Sequence, residues 1–204
     1  MLFHPTYFPN IAHFVAVVKS KTIVFEVCDN YQKQTFRNRS EIYGANGKLV
    51  LSAPVSYTQK KRQQTKDVQI STTDKWQLQH LKSLDSAYRM SPFYEFYIDD
   101  LMPLFKTDFK FLLDLNLKCF ELLSEAIQLD NSFSLTESFE IPANDKKDFR
   151  YLVNAKKNTD FQFDKYTQVF TEKHGYLPNL SILDLLFNEG PNTLNYLESQ
   201  IPKL

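Results

Sequence analysis

The sequence predicts an α/β fold, with an N-terminal βαβ-containing sheet and a β-hairpin followed by a mainly helical C-terminal half. Three observations predict it. A strand, a helix and a second strand fit in order into the first 28 residues. An Asn-Gly turn signal separates two strand-like runs, and helical periodicity dominates from Thr73 onward.

The elements follow in order. Leu2 and Phe3 form a short strand that Pro5 and Pro9 end. Asn10 is an N-cap for a helix whose Ile11, Phe14, Val15 and Val18 share one face. Residues 22–28, TIVFEVC, are β-branched and apolar, as a buried strand parallel to the first should be. Asp29 and Asn30 then stand just past its carboxyl end, the edge where open α/β sheets bind ligands. Asn46-Gly47 is a type I′ hairpin signal between residues 40–43 and 48–55. A polar run over residues 56–67 leads to a brief strand at 68–71. In the next helix Trp76, His80, Leu81, Leu84, Ala87 and Tyr88 share a face. Ser91 as N-cap and Pro92 at N1 open another helix through Phe93, Phe96, Tyr97 and Leu101. Residues 108–129 carry the strongest helical pattern. The chain is then irregular until Leu177, where Pro178 and Asn179 lead into SILDLLF. Gly190 ends that helix as a C′ residue and Pro191 starts a last short one. The whole reads as a single domain over 1–204: a sheet part at 1–71, a helical part at 72–130, and an irregular segment plus C-terminal helices at 131–204.

Composition narrows the function classes. Hydrophobic residues make up 43% and aromatics 15%, carried by 18 Phe and 11 Tyr, which is globular composition. Lys plus Arg and Asp plus Glu number 24 each, a balance that argues against a general nucleic-acid binder. Cys28 and Cys119 are far apart in apolar surroundings and read as free thiols of a reducing compartment. The N-terminus lacks the order of a signal peptide, and no run approaches the roughly 18 apolar residues of a membrane span. A cytoplasmic protein is expected.

The chemistry concentrates in residues 29–39, DNYQKQTFRNR, which pack amides, cations and rings together. Run as an extended strand, Tyr31, Lys33, Thr35, Arg37 and Arg39 face one way, a cationic face for phosphate or carboxylate. Gln32, Gln34, Phe36 and Asn38 face the other, suited to hydroxyl or amide hydrogen bonds. A solvated polar edge strand is the competing reading of the same composition. His4 lies at the same sheet edge as Asp29 and is a general-base candidate. His80, on an apolar helix face, reads as a satisfied core histidine, while His174 is open to either role. The histidines show no metal-ligand spacing, and the four glycines form neither a dinucleotide fingerprint nor a P-loop. No metal and no cofactor is expected. Any phosphate has to be held by side chains and a helix end, such as the amides after Asn10. Lys60, Lys61, Arg62 and Lys66, with Tyr57 nearby, read as a solvated basic loop or as a lid over an anionic ligand.

Five stretches in order resemble the WbqC-like family: HPTYFPNIAHF at 4–14, NYQKQTFRNR at 30–39, NGKLVLSAPV at 46–55, WQLQHLKSLDSAYRMSPFYEFY at 76–97 and LPNLSILDLLFNEGP at 177–191. The resemblance covers nearly the whole chain and is weak over about 132–160. Members of that family are often encoded with surface-polysaccharide and O-antigen genes, and a glycine (aminoacyl) transferase role has been suggested for some. The resemblance thus implies a pathway, surface-glycan biosynthesis, better than a reaction; the leading reading within it is a transferase acting on an amino sugar, with a non-catalytic sugar-phosphate or partner-protein binding module as the alternative. On this reading His4 and Asp29 are the candidate bases, and Tyr7, Asn30, Gln32, Lys33, Arg37, Asn38 and Arg39 bind substrate. The partners implied are a nucleotide- or lipid-linked sugar and an aminoacyl donor; tRNA enters only as the carrier of that donor. His4 stands where many relatives carry glutamine, so the resemblance supplies no catalytic role for it. Longer relatives carry a further α/β stretch where this chain has residues 132–160.

Overall fold

The computed structural model describes residues 1–57, 62–72, 75–129, 132–140, 148–156 and 161–200. Strand β1 (Leu2–Phe3), helix α1 (Ile11–Val18) and strand β2 (Ile23–Phe25) form the expected βαβ unit, with β1 and β2 parallel. Asn10 caps α1 through its side chain, which accepts the His13 N–H at 3.0 Å. The helix is apolar apart from His13 and buried from Ile11 to Val17, so it runs through the core rather than along its surface.

The sheet gains a third strand from far along the chain. Strand β7 (Phe133–Leu135) lies parallel to β2 on the side away from β1, giving the order β1-β2-β7. Sequence reading treats that stretch as irregular, because three residues flanked by polar ones carry no strand period of their own. Its register comes from β2, and Phe133 packs 5.3 Å from Phe25 and 5.7 Å from Phe120. Helix α5 (Leu112–Ala126) supplies Phe120, which also meets Phe25 at 5.0 Å and Phe14 at 6.0 Å.

Strands β3 (Arg39–Gly44) and β4 (Gly47–Ser52) form the hairpin, with Gly44 opposite Gly47. The turn is not type I′. Neither Ala45 nor Asn46 enters the left-handed region; Gly47 alone does, at φ 100°. Strands β5 (Val55–Ser56) and β6 (Gln69–Ile70) make a second antiparallel pair, and a 3₁₀ turn (Thr65–Asp67) lies between them.

Helix α2 (Trp76–Tyr88) buries the predicted face, Trp76, His80, Leu84, Ala87 and Tyr88, with Leu81 half-buried. The next start signal fails. Helix α3 (Tyr94–Leu101) begins at Tyr94, because the Phe93 N–H is taken by Phe187 O at 3.0 Å and the chain is drawn to another helix first. Phe96 consequently stands 74% exposed instead of facing the core. A short α4 (Pro103–Lys106) follows. Residues 110–111 extend along β6 before α5 opens, with Ile70 N–H bonded to Lys110 O and the first α5 N–H, Leu112, to Val68 O, so α5 is shorter than its apolar pattern. After the one-turn α6 (Thr171–His174), helix α7 (Ile182–Glu189) ends at Gly190 as expected, and α8 (Thr193–Ser199) follows. Among the described residues no helix is long and apolar enough to cross a membrane.

Candidate functional site

Parallel strands end on one edge, so the residue after each strand lands beside the residue after its neighbour. Here those residues are His4 after β1, Glu26 after β2 and Thr136 after β7. Asp29 follows three residues later, and Arg37 reaches back into the same edge. Arg37 is, among the described residues, the largest fully buried side chain, 1% exposed. Its Nη2 donates to Asp29 Oδ2 at 2.6 Å and to His4 Nε2 at 2.9 Å. Thr65 Oγ1 donates to the other carboxylate oxygen, Asp29 Oδ1, at 2.5 Å. Both oxygens of Asp29 are therefore engaged.

The electrostatics follow from burial. An arginine only donates, so His4 Nε2 is the acceptor and the ring carries its proton on Nδ1. Burial and then the Arg37 charge hold the His4 pKa well below 6.5, while the Glu26 backbone pulls the other way; Nδ1 makes no well-formed hydrogen bond. Burial also raises Asp29 above its usual value, partly offset by the Arg37 charge and the Thr65 hydroxyl. It lowers Arg37, offset by Asp29. The site at neutral pH is thus a buried Asp29–Arg37 ion pair with a neutral imidazole attached.

A second ion pair adjoins it. Glu26 is 1% exposed; its Oε1 accepts the Cys28 N–H and the Thr136 hydroxyl, both at 2.9 Å. Arg150 Nη1 lies 3.2 Å from Glu26 Oε2, and Arg150 Nη2 lies 2.8 Å from Asp148 Oδ2. Sequence reasoning missed all of these, yet one signal was there: a carboxylate inside TIVFEVC has to find a cation or hydrogen-bond donors if that strand is buried. Nothing in the sequence marks Thr65, Asp148 or Arg150.

The segment 29–39 does not run extended. Gln34 sits at φ 60°, which breaks the alternation, and Thr35 Oγ1 bonds back to Gln32 O at 2.9 Å. Tyr31, Thr35 and Arg37 turn inward while Asn30, Gln32, Lys33 and Gln34 are exposed. Asn38 and Arg39 are half-buried, and Asn38 Nδ2 donates to Ala53 O at 2.9 Å, tying the segment to the hairpin. Tyr7 is 1% exposed, its hydroxyl 2.9 Å from His80 Nδ1. The amides after Asn10 are closed as an anion site: Ile11 N–H bonds Leu180 O, and Ala12 N–H bonds Asn179 Oδ1 at 2.8 Å. Lys60 and Lys61 lie outside the described residues; Arg62 and Lys66 are exposed.

Arg62 lines a cleft of about 640 Å3 together with Ser56, Tyr57, Gln63, Gln64, Asp67 and Gln69. The exposed side of segment 29–39 borders it. Asn30 bridges Gln64, and Tyr31 N–H donates to Gln63 O at 2.9 Å. The Tyr31 ring lies 5.3 Å from that of Tyr57, and Lys33 Nζ sits 4.9 Å over the Tyr57 ring. Among the described residues no His, Cys, Asp or Glu side chains converge as a metal-binding group. Cys28 and Cys119 are free and buried.

The sequence profile of the WbqC-like protein family matches residues 4–162, most of the chain. The chain belongs to the WbqC-like family. No curated protein and no solved structure matches it. The WbqC-like span includes both ion pairs, Thr65 and the cleft, and it runs through residues 132–160. It stops short of LPNLSILDLLFNEGP, so the last of the five resembling stretches lies outside it.

Beyond that span lies a further buried polar group. Asp184, on α7, accepts the Tyr88 hydroxyl at 2.8 Å, the Tyr166 hydroxyl at 2.5 Å and Gln168 Nε2 at 2.9 Å. Burial raises its pKa to about 6, against the three hydrogen bonds. Tyr88 also accepts the Tyr43 N–H at 3.0 Å, so one carboxylate ties α2, α7, β3 and the 161–169 segment together.

Proposed function

We propose that the chain is a transferase of surface-glycan (O-antigen) biosynthesis that modifies an amino sugar on a nucleotide or lipid carrier by aminoacyl (glycyl) transfer. The observation that supports this reading is the carboxyl edge of the parallel sheet, where His4, Asp29 and Arg37 meet beside a polar cleft. Ligand sites favour that edge in α/β sheets. Attack of a sugar amine on an activated acyl carbonyl forms a C–N bond and breaks the bond between the acyl group and its donor, which departs, while the sugar stays on its own carrier. It needs a base for the ammonium proton and donors for the developing oxyanion, but no cofactor. Asn30, which bridges Gln64, and Lys33, over the Tyr57 ring, are the donors on the cleft side; Gln32 is exposed next to Lys33. His4 or Asp29 is the base, and Arg37 holds both; a step using the His4 lone pair has first to release the 2.9 Å bond from Arg37.

One observation favours a second reading, a non-catalytic binding module. His4 Nε2 and both Asp29 oxygens are already occupied. The experiment that separates the two incubates the protein with a UDP-linked amino sugar and either glycyl-tRNA or a glycyl adenylate, and follows glycyl addition by mass spectrometry. Turnover that His4→Ala abolishes carries the transferase; saturable sugar binding without turnover on any donor carries the module. A tRNA-borne donor adds a second signature: salt-steep tRNA binding that vanishes when Lys60, Lys61 and Arg62 are neutralised.

A further inference from the structure

The polar atoms of the buried ion pair face one another, so an incoming ligand meets first the open polar surface beside it. That surface is the cleft between β5, β6 and the 3₁₀ turn, and its lining is specific. Among the described residues it has one cation, Arg62, with Lys33 over the adjoining Tyr57 ring; one carboxylate, Asp67; and three amides, Gln63, Gln64 and Gln69. Arg62, Gln64, Asp67 and Gln69 are exposed. No ion pair engages Arg62 or Asp67 among the described residues. A volume of about 640 Å3 falls within the range of small-molecule sites.

We infer that this cleft binds a phosphorylated amino sugar: Arg62 and Lys33 take the phosphate, Asp67 takes the ammonium, and the three glutamines take ring hydroxyls. The inference rests on the proposed reading for the sugar class and adds the site and the role of each residue. A guanidinium fork suits phosphate, a lone carboxylate suits an ammonium, and amides offer both donor and acceptor to hydroxyls. A neutral sugar leaves both charges unused, and a bare phosphate leaves Asp67 repelling it.

The walls are built before the ligand arrives. On one side the β5–β6 ladder pairs Val55 with Ile70 and Ser56 with Gln69. On the other, Thr65 N–H donates to Asp29 O at 2.8 Å, the Thr65 hydroxyl donates to Asp29 Oδ1, and Lys66 N–H donates to Val27 O at 3.2 Å. Asp29 thereby also positions the turn. Arg37 braces its one oxygen, and its other oxygen fixes the turn from which Gln64 and Asp67 project. A preorganised wall binds without the cost of ordering a loop.

The test is calorimetric titration with glucosamine 1-phosphate, glucose 1-phosphate and glucosamine. Wild type should bind glucosamine 1-phosphate more tightly than either of the others. Arg62→Ala should weaken both phosphates by about tenfold, and Asp67→Asn should weaken glucosamine 1-phosphate several-fold while leaving glucose 1-phosphate unchanged. Both side chains are exposed, so melting temperatures should match wild type and show that folding is intact. Binding that ignores Arg62→Ala, equal effects of Asp67→Asn on both phosphates, or no binding of glucosamine 1-phosphate by wild type would each overturn the inference. Retained binding with no glycyl transfer would instead remove the transferase and leave this site standing.

Discussion

Replacing Arg37 with Met separates a structural ion pair from an incidental one. Arg37 is 1% exposed and Asp29 6%, so the variant leaves a buried carboxylate whose remaining side-chain donor is Thr65. Removing one partner of a buried pair costs about 3–5 kcal/mol, because the stranded charge keeps its desolvation penalty. The penalty belongs to the ionised form, which fixes its pH dependence. Burial already raises Asp29 above 3.8, and the Arg37 charge is among the causes that hold it down, so its loss raises Asp29 further. A folded pKa raised above the unfolded one costs stability progressively as pH climbs from the unfolded to the folded value, and in full above it, so the deficit should grow from pH 5 to pH 8. Losing the Arg37 charge also lets His4 protonate more readily at the acid end, 3.6 Å from Asp29, which acts in the same direction. The assay is urea unfolding followed by circular dichroism at several pH values, wild type against Arg37→Met. The double variant Asp29→Asn/Arg37→Met, which has no stranded charge, should recover most of the loss. A deficit under about 1 kcal/mol at pH 8, or a double variant no more stable than the single, would refute the reasoning.

Other expectations follow from buried groups elsewhere. Burial lowers His13 and His80 to about 4 from 6.5, so both are neutral in the fold and charge on unfolding; each costs up to ~3 kcal/mol of stability as pH falls through that window. Asp184, raised to about 6, opposes them, since its protonated form is favoured by the fold. The two histidines outweigh it, and His13→Leu should flatten the loss of stability between pH 6.5 and 4 measured by chemical denaturation. Thr65→Val leaves Asp29 Oδ1 without its donor and should cost about 1–3 kcal/mol by the same measurement, with Thr65→Ser close to wild type. Gly190→Ala meets two obstacles, a φ of 53° and a Cβ 2.5 Å from the Phe93 ring, and should lower stability by roughly 2 kcal/mol or more. Combining it with Phe93→Ala should relieve the clash and leave the backbone cost, which a double-mutant cycle reads directly.

Much of the frame was legible because it rests on local chemistry. Asn10 signals a cap, the apolar stretch after it signals a buried helix, and the apolar pair Leu2–Phe3 before it and the β-branched run after it signal parallel strands; each of these is a preference of a few neighbouring residues. The periodicity of Trp76, His80, Leu84, Ala87 and Tyr88 likewise names a buried face without any partner in view. Where the sequence misled, a distant hydrogen bond outweighed a local one. The Phe93 N–H went to Phe187 O instead of beginning a helix capped by Ser91, and residues 110–111 paired with β6 instead of joining α5. β7 had no local signal at all, since its register is lent by β2.

The site divides along the same line. Residues 29–39 could be singled out from composition, and their place after β2 from the strand pattern. What the sequence by itself determined is therefore the frame and the neighbourhood of the site: a βαβ edge with a charged, amide-rich segment beside it. Only the tertiary structure decided which of those charges face water. Arg37 is buried because Asp29 and His4, 8 and 33 residues away, converge on its guanidinium, whereas Lys33 remains exposed over Tyr57. Burial of a charge requires partners drawn from several segments at once, and no local pattern of residues encodes where those segments meet.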